Sequence, residues 1–256
     1  MRADSADPEQ INQLFTAIDR KFGRIDVLVN NAAIIAQQSR LEDLEFERMR
    51  HMFAVNSIGP ILCAQQAVRR MSYRHNGRGG VVINISSASA RLGSPNEYVD
   101  YAASKGALET FTIGFAKEVA RDGIRVNCIR PGHIYTEMHA SGGEPGRVDR
   151  VKDSIPMGRG GQPEEVARAI LWLAGAQASF ITGTFLVSTK DAVSGFGTVC
   201  LRGYPLHPNR RRCRLCGGRR THSALWSWDC VLDKAMKPPT LLCSVASIAF
   251  GAGHEL

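Results

Sequence analysis

Three short apolar runs, each ending in polar or turn-forming residues and separated by helix-patterned stretches, constrain this chain more than anything else in it. Ile25-Asp26-Val27-Leu28-Val29 stops at Asn30-Asn31, Val81-Val82-Ile83-Asn84-Ile85 at Ser86-Ser87, and Ile124-Arg125-Val126-Asn127-Cys128-Ile129 at Arg130-Pro131-Gly132. Runs this short and apolar fit strands covered on both faces. Helices are predicted over residues 8–22, about 44–71, about 101–121 and 163–174, and Phe185-Leu186-Val187 opens a fourth strand. The first helix carries its own boundaries: Asp7 as N-cap, Pro8 at the first helical position, Gly23 as the stop, and Ile11, Leu14, Phe15 and Ile18 on one face. Strands alternating with helices specify an α/β fold, a Rossmann-like doubly wound parallel sheet in a three-layer α/β/α arrangement.

In open parallel sheets, ligands bind beyond the carboxyl ends of the strands. The Asn-Asn, Ser-Ser and Pro-Gly endings therefore converge on one crevice. Tyr101 and Lys105 stand four apart in Tyr101-Ala102-Ala103-Ser104-Lys105, on one face at the start of a helix. An ammonium beside a phenol favours the phenolate, and the helix N-terminus adds positive potential, so a lowered Tyr101 pKa and a general acid/base near neutral pH are expected. Ser87, fourteen residues upstream, would hold a substrate oxygen beside the phenol. Alone, a YxxxK spacing arises by chance and Ser-Ser after a strand is an ordinary turn; the combination is what carries the reading. Asn56 falls mid-helix with Pro60 four residues on, which predicts a kink and a freed carbonyl at residue 56. A packing kink accounts for this as well as a water site feeding protons toward Lys105 does.

These residues resemble the short-chain dehydrogenase/reductase family. Residues 25–33, with Asn30-Asn31-Ala32-Ala33, are similar to its Asn-Asn-Ala-Gly strand end, with Ala33 in place of the glycine. Asn84-Ile85-Ser86-Ser87 resembles the strand with the catalytic serine, residues 101–105 match YxxSK, and residues 125–138 are similar to the nicotinamide-side loop. Pro163-Glu164-Glu165-Val166-Ala167 and Ile181-Thr182-Gly183 resemble the last helix and the approach to the final strand. The likeness spans roughly residues 3–186 and is nearest in flavour to the bacterial sugar or polyol dehydrogenases. It implies catalytic roles for Tyr101, Lys105, Ser87 and Asn56, the last acting through a water. It further implies NAD or NADP as cofactor, with Asp4 at the adenine, Asn31 by the adenine-side ribose, Tyr101 and Lys105 at the nicotinamide ribose, Ile134 at the carboxamide and Thr136 at the pyrophosphate. The implied substrate is a small alcohol or carbonyl compound, and the implied partner a second copy of the chain, paired through the helices bearing Asn56 and Tyr101. The residues from 139 to 156, centred on Gly142-Gly143-Glu144-Pro145-Gly146, are expected to be a mobile cover over the substrate.

Two departures qualify the likeness. The family's opening strand, glycine-rich turn and helix have no counterpart before Asp4, so the sheet is expected to lack its first two strands, as an internal start would explain. The second departure lies near Val187, and composition locates it. The net charge of +8 divides unevenly: residues 1–186 hold 22 Lys/Arg against 20 Asp/Glu, whereas 187–256 hold 10 against 4 and five of the seven cysteines. The chain is therefore expected to be a partial catalytic domain, 1–186, joined to a basic Cys/Arg-rich tail, 187–256, disordered or derived from a frameshift. Cys213 and Cys216 form a single CxxC without a second well-spaced pair, which is weak support for zinc, so no metal is expected. Nucleic-acid binding through the tail arginines ranks last among the functions, behind an oxidoreductase and behind an inactive fragment serving as an interaction partner. No apolar stretch reaches the roughly 18 residues a membrane span needs, and the first residues lack a signal-peptide core, so a cytoplasmic placement is expected.

Overall fold

The structure is a computed structural model; it describes residues 2–188 and the backbone of a two-residue strand at Ala246–Ser247. The expectations for the tail, including its disorder, its frameshift origin, the Cys213/Cys216 pair and its basic residues, lie outside the described residues.

Helix α1 (Pro8–Phe22) forms as its signals dictate. The Asp7 carboxylate accepts from the backbone N–H groups of Glu9 and Gln10, and Gly23 takes the left-handed conformation (φ 72°) that ends the helix. Strand β1 (Val27–Asn30) follows, then α2 (Phe46–Phe53), one turn of π-helix (Ala54–Ile58) and α3 (Gly59–Met71). Strand β2 (Gly80–Ile85) leads through the short α4 (Ser89–Leu92) into α5 (Val99–Val119), and β3 (Ile124–Pro131) follows it. Short helices α6 (Met138–Ser141) and α7 (Arg147–Val151) precede α8 (Pro163–Ala174) and β4 (Phe185–Ser188); β5 is Ala246–Ser247.

The strands run β4-β3-β2-β1-β5, all parallel. Alternation along each strand sends side chains to two faces. On one face Leu28, Val82 and Val126 meet Phe15 of α1, Ala67 and Met71 of α3, and Phe115 of α5. On the other, Val29, Ile83, Ile85 and Ile129 meet Leu173 of α8. This is the three-layer Rossmann-like arrangement, built here on four main parallel strands. In register, Asn30 lies opposite Asn84 and Ile85 opposite Ile129, so the chemistry-bearing strand ends stand side by side. Among the described residues no helix is long and apolar enough to cross a membrane.

Two sequence expectations need correction. The long helix over 44–71 is two α-helices joined by the π turn. Pro60 has no N–H to give, and the chain accommodates it by widening one turn, with Gly59 N–H bonding Ala54 O. The region 139–156 is no plain glycine-rich loop: it holds α6 and α7, and is braced to the body by Tyr98 Oη donating to Gly142 O (3.0 Å), by Gln38 Nε2 donating to Glu144 (2.9 Å) and by an Arg147–Glu97 ion pair.

Candidate active site

The start of α5 is where the site is built. Asp100, buried, accepts from the backbone N–H of Tyr101 (2.9 Å) and is gripped by Arg48 of α2 through two bonds of 2.8 and 3.2 Å. This clamp ties the first turn of α5 to a helix fifty residues earlier. One turn on, Lys105 is 2% exposed, and its Nζ donates to the carbonyl of Ile85 at the end of β2 (2.9 Å). Tyr101, 7% exposed, packs against Met52 and Tyr98, with Ile34, Ile35 and Ala36 completing an apolar wall. Its phenol lies near enough to the Ser87 side chain for that group to favour the phenolate, while the Lys105 amine stands 5.8 Å from the ring centroid. Ser87, half-buried, also accepts the N–H of Ser89, which fixes the turn beyond β2. Tyr101, Ser87 and Lys105 are thus brought together at the carboxyl edge of the sheet.

The electrostatics differ from the expected pattern. Burial within the apolar wall raises the Tyr101 phenol above its ordinary value, against a smaller opposing effect of the Ser87 side chain. The expected lowering by Lys105 is not found, because the amine is turned to the Ile85 carbonyl and is itself desolvated, its pKa falling to about 8. A buried phenol beside a weakened cation keeps its proton.

Asn56, fully buried on the π turn, sits behind this group. Its Oδ1 accepts from Ile34 N–H (2.8 Å), and its Nδ2 donates to Ile34 O (2.9 Å) and Ser104 Oγ (3.1 Å). Ser104 Oγ in turn donates to Tyr101 O (2.7 Å). Asn56 therefore fastens the apolar wall to α5 through its side chain. Deeper still, Asn30 Nδ2 donates to Asn84 Oδ1, and Asn84 Nδ2 to Thr112 Oγ1, each at 2.8 Å, a polar ladder across β1, β2 and α5.

The remaining predicted positions line the same edge without joining that cluster. Asn31 and Thr136 are exposed, and their side chains make no hydrogen bond among the described residues. Ile134 is buried on the segment after β3, its carbonyl 2.9 Å from His139 Nε2. Asp4 is exposed and uses its carboxylate on its own turn, accepting from Ala6 N–H (2.8 Å). A cavity of about 270 Å³ opens beside Ile134, walled by Ile129, Met157, Gly160, Val166 and Leu186 among others. Ile134 beside this cavity and the exposed, unengaged side chains of Asn31 and Thr136 could meet the apolar and polar parts of a dinucleotide along this edge. Among the described residues no glycine-rich turn joins a strand to a helix ahead of α1.

Sequence reasoning missed the Arg48–Asp100 clamp, Ser104 and the buried Glu109–Arg130 pair (2.5 Å), whose partners lie 52, 48 and 21 residues apart. The one signal available was an acidic residue placed directly before Tyr101.

A Rossmann-like parallel sheet is a fold that binds dinucleotides beyond the carboxyl ends of its strands. Comparison with known proteins agrees. Residues 1–189 match the family described as enoyl-(acyl carrier protein) reductase. The chain is 56% identical over 186 residues to the uncharacterized oxidoreductase YgfF of Escherichia coli (strain K12), covering 73% of this chain and 75% of that protein. It is 34% identical over 191 residues to the glucose and ribitol dehydrogenase of Daucus carota, covering 75% of this chain and 64% of that one. Among solved structures it resembles the 3-ketoacyl-(acyl-carrier-protein) reductase of Brucella melitensis complexed with NADH, with a TM-score of 0.68, 31% identity and coverage of 73% and 75%. The chain belongs to the short-chain dehydrogenase/reductase family of NAD(P)-dependent oxidoreductases.

Proposed function

We propose that this chain interconverts a small carbonyl compound and its alcohol, using NAD or NADP, with Tyr101 as the general acid/base. The observation that carries the reading is the juxtaposition of the Tyr101 phenol with Ser87 and, one helical turn away, with the Lys105 amine, at the edge where the strands end. The cofactor, when bound, supplies or accepts the hydride at the substrate carbon. The protein's share is position and protons. Ser87 holds the substrate oxygen next to the phenol. Tyr101, kept protonated by its surroundings, gives its proton to that oxygen in the reducing direction and takes it back in the other. Lys105 grips the nicotinamide ribose, and its positive charge stabilises the phenolate left behind. Asn56 positions α5 against the Ile34–Ala36 wall and, by the family resemblance, passes protons through a water.

By the same resemblance Ile134 lies against the carboxamide, Thr136 by the pyrophosphate, Asn31 by the adenine-side ribose and Asp4 at the adenine. The outer faces of the helical stretch 46–71, which bears Asn56, and of α5, which bears Tyr101, are the proposed surfaces for a second copy. Ile58 and Ile113 are exposed there, and a Cβ added at Gly106 or Gly114 would meet nothing within 4 Å.

The test pairs cofactor titration by calorimetry with nicotinamide absorbance in a panel of short aldehydes, ketones and polyols. Saturable NADH or NADPH binding is expected in both the wild-type chain and Tyr101→Phe, with turnover only in the former. Turnover retained by Tyr101→Phe would overturn the assignment. Lack of cofactor binding by the wild-type chain would favour a silent family member acting as an interaction partner.

A further inference from the structure

Behind the reacting edge, the end of strand β3 and the middle of α5 share a buried charge pair that the proposed chemistry does not use. Glu109 is 7% and Arg130 6% exposed. The guanidinium meets the carboxylate with two bonds, Nε to Oε1 at 2.5 Å and Nη2 to Oε2 at 2.7 Å. Ser86 Oγ donates to the same Oε1 at 2.9 Å, and the aromatic ring of Phe185 on β4 lies 4.2 Å from the guanidinium carbon. One carboxylate thereby joins β2, α5 and β3, and the arginine carries the link on to β4.

Each tied residue is close in sequence to one that faces the reaction. Ser86 immediately precedes Ser87, Glu109 is one helical turn beyond Lys105, and Arg130 opens the segment through Pro131-Gly132 to Ile134. The three elements that deliver the site are thus cross-linked directly beneath it. An apolar pair could fill this space without the cost of burying two charges, so net stability is a poor explanation for the ions. A bidentate arginine–carboxylate pair adds direction: its two parallel bonds fix distance and angle together, which Lys or an apolar contact cannot do. Misplacement of reacting groups by about 1 Å costs about 100-fold in rate, so such a device has a use here.

We propose that Glu109 and Arg130 form a positioning pair that holds the Ser87 turn and the Ile134 segment in register with Tyr101 and Lys105, an inference that rests on the catalytic reading above. The pair touches neither substrate nor cofactor; it acts through Ser86 and through the end of β3.

The test compares the wild-type chain with Glu109→Leu/Arg130→Met, which removes both charges and leaves neither ion stranded, and with Arg130→Lys, which keeps the charge but loses the fork. The double variant is expected to hold the wild-type thermal midpoint within a few degrees while kcat falls about 10- to 100-fold and KM changes little. Arg130→Lys is expected to lose comparable kcat, since geometry rather than charge is the requirement. NMR of isotope-labelled tyrosine gives a readout independent of turnover. The Tyr101 ring resonance should shift or broaden in both variants, and that of the exposed, remote Tyr73 should not. Unchanged kcat together with an unmoved Tyr101 resonance in a folded double variant would overturn the positioning role. If the wild-type chain shows no turnover, the NMR comparison still decides the positioning claim while the catalytic reading fails by itself.

Discussion

The two halves of the reacting edge are built in opposite ways. Around the start of α5, Tyr101, Lys105, Asn56 and Asp100 are all buried, and each polar side chain has a partner drawn from another element of the fold. Along the flank, Asn31 and Thr136 are exposed with unengaged side chains, and the Asp4 carboxylate bonds only within its own turn. The chemical half is held rigid by tertiary structure before anything binds, and that rigidity carries a cost in desolvated charge. The flank gives up nothing to folding and awaits a ligand's polar groups. Substitutions in the first half should therefore trade stability against turnover, whereas those in the second should change binding alone.

The strongest test of that contrast is Lys105→Met. Burial lowers the Lys105 pKa to about 8 from a model-compound value of 10.5, so at neutral pH the folded chain bears the cost of a buried ammonium. The shift corresponds to about 3 kcal/mol. Turnover of the methionine variant is expected to fall about 100- to 10,000-fold while its thermal midpoint at pH 7 rises. The pH dependence fixes the sign. Between about pH 8 and 10.5 the unfolded chain holds a proton that the folded chain has released, so wild-type stability rises across this window. Urea midpoints of the Met variant should lack that rise; a parallel slope would show that Lys105 is not the group responsible.

Next in size is Asn56→Ala. It strips partners from Ile34 N–H, Ile34 O and Ser104 Oγ in a site without solvent access, and about 2–3 kcal/mol of stability should be lost. Turnover should drop further than stability explains, since the wall against the Tyr101 ring loosens. Equilibrium urea unfolding and kcat measured on the same preparation separate the two effects. A loss below about 0.5 kcal/mol would mean that water replaces the amide freely.

What could be read from the residue order, and what could not, follows the same division. The strand ends, the caps of α1 and the meeting of Tyr101, Ser87 and Lys105 were legible, because period, breaker residues and the rule for parallel sheets are local or topological facts. The direction of the Tyr101 shift was not. The YxxxK spacing shows an ammonium near a phenol, but which effect wins depends on the desolvating wall of Ile34, Ile35, Met52 and Tyr98 and on the Ile85 carbonyl that draws the amine away. The π turn was half legible: Pro60 announces a missing donor, while the choice between a break and a widened turn is made by packing. Glycines in the 139–156 segment pointed to mobility, while Glu144 among them anchors an ion cluster with Arg147 and Arg150 that reaches out of the segment to Glu97.

On the exposed flank, Asn31→Ala and Thr136→Ala should leave the unfolding free energy within about 0.5 kcal/mol of wild type and raise the cofactor Kd several-fold, as calorimetry would read. A large stability loss in either would erase the contrast between the two halves.

The smallest effect concerns the braced segment over the substrate side. Arg150 and Arg147 hold the Glu144 carboxylate at about 2, well below the usual carboxylate range, and Arg147 also pairs with Glu97 while lying 5.0 Å from the Tyr98 ring centre. A carboxylate with a depressed folded pKa contributes stability that is complete above its unfolded value, near 4.5, and is lost as the pH falls toward 2. Because the cluster is partly exposed and screened by salt, the contribution is modest and local rather than global. Hydrogen exchange in α6 and α7 is therefore expected to quicken between pH 4.5 and 2 ahead of exchange in α5, and high salt at neutral pH should mimic the change weakly. Glu144→Gln should show fast exchange at every pH in that range. If the wild-type α6–α7 segment keeps its protection down to pH 2 while α5 loses its own, the brace is apolar, through Tyr98 and Val148, and the ion cluster is incidental to it.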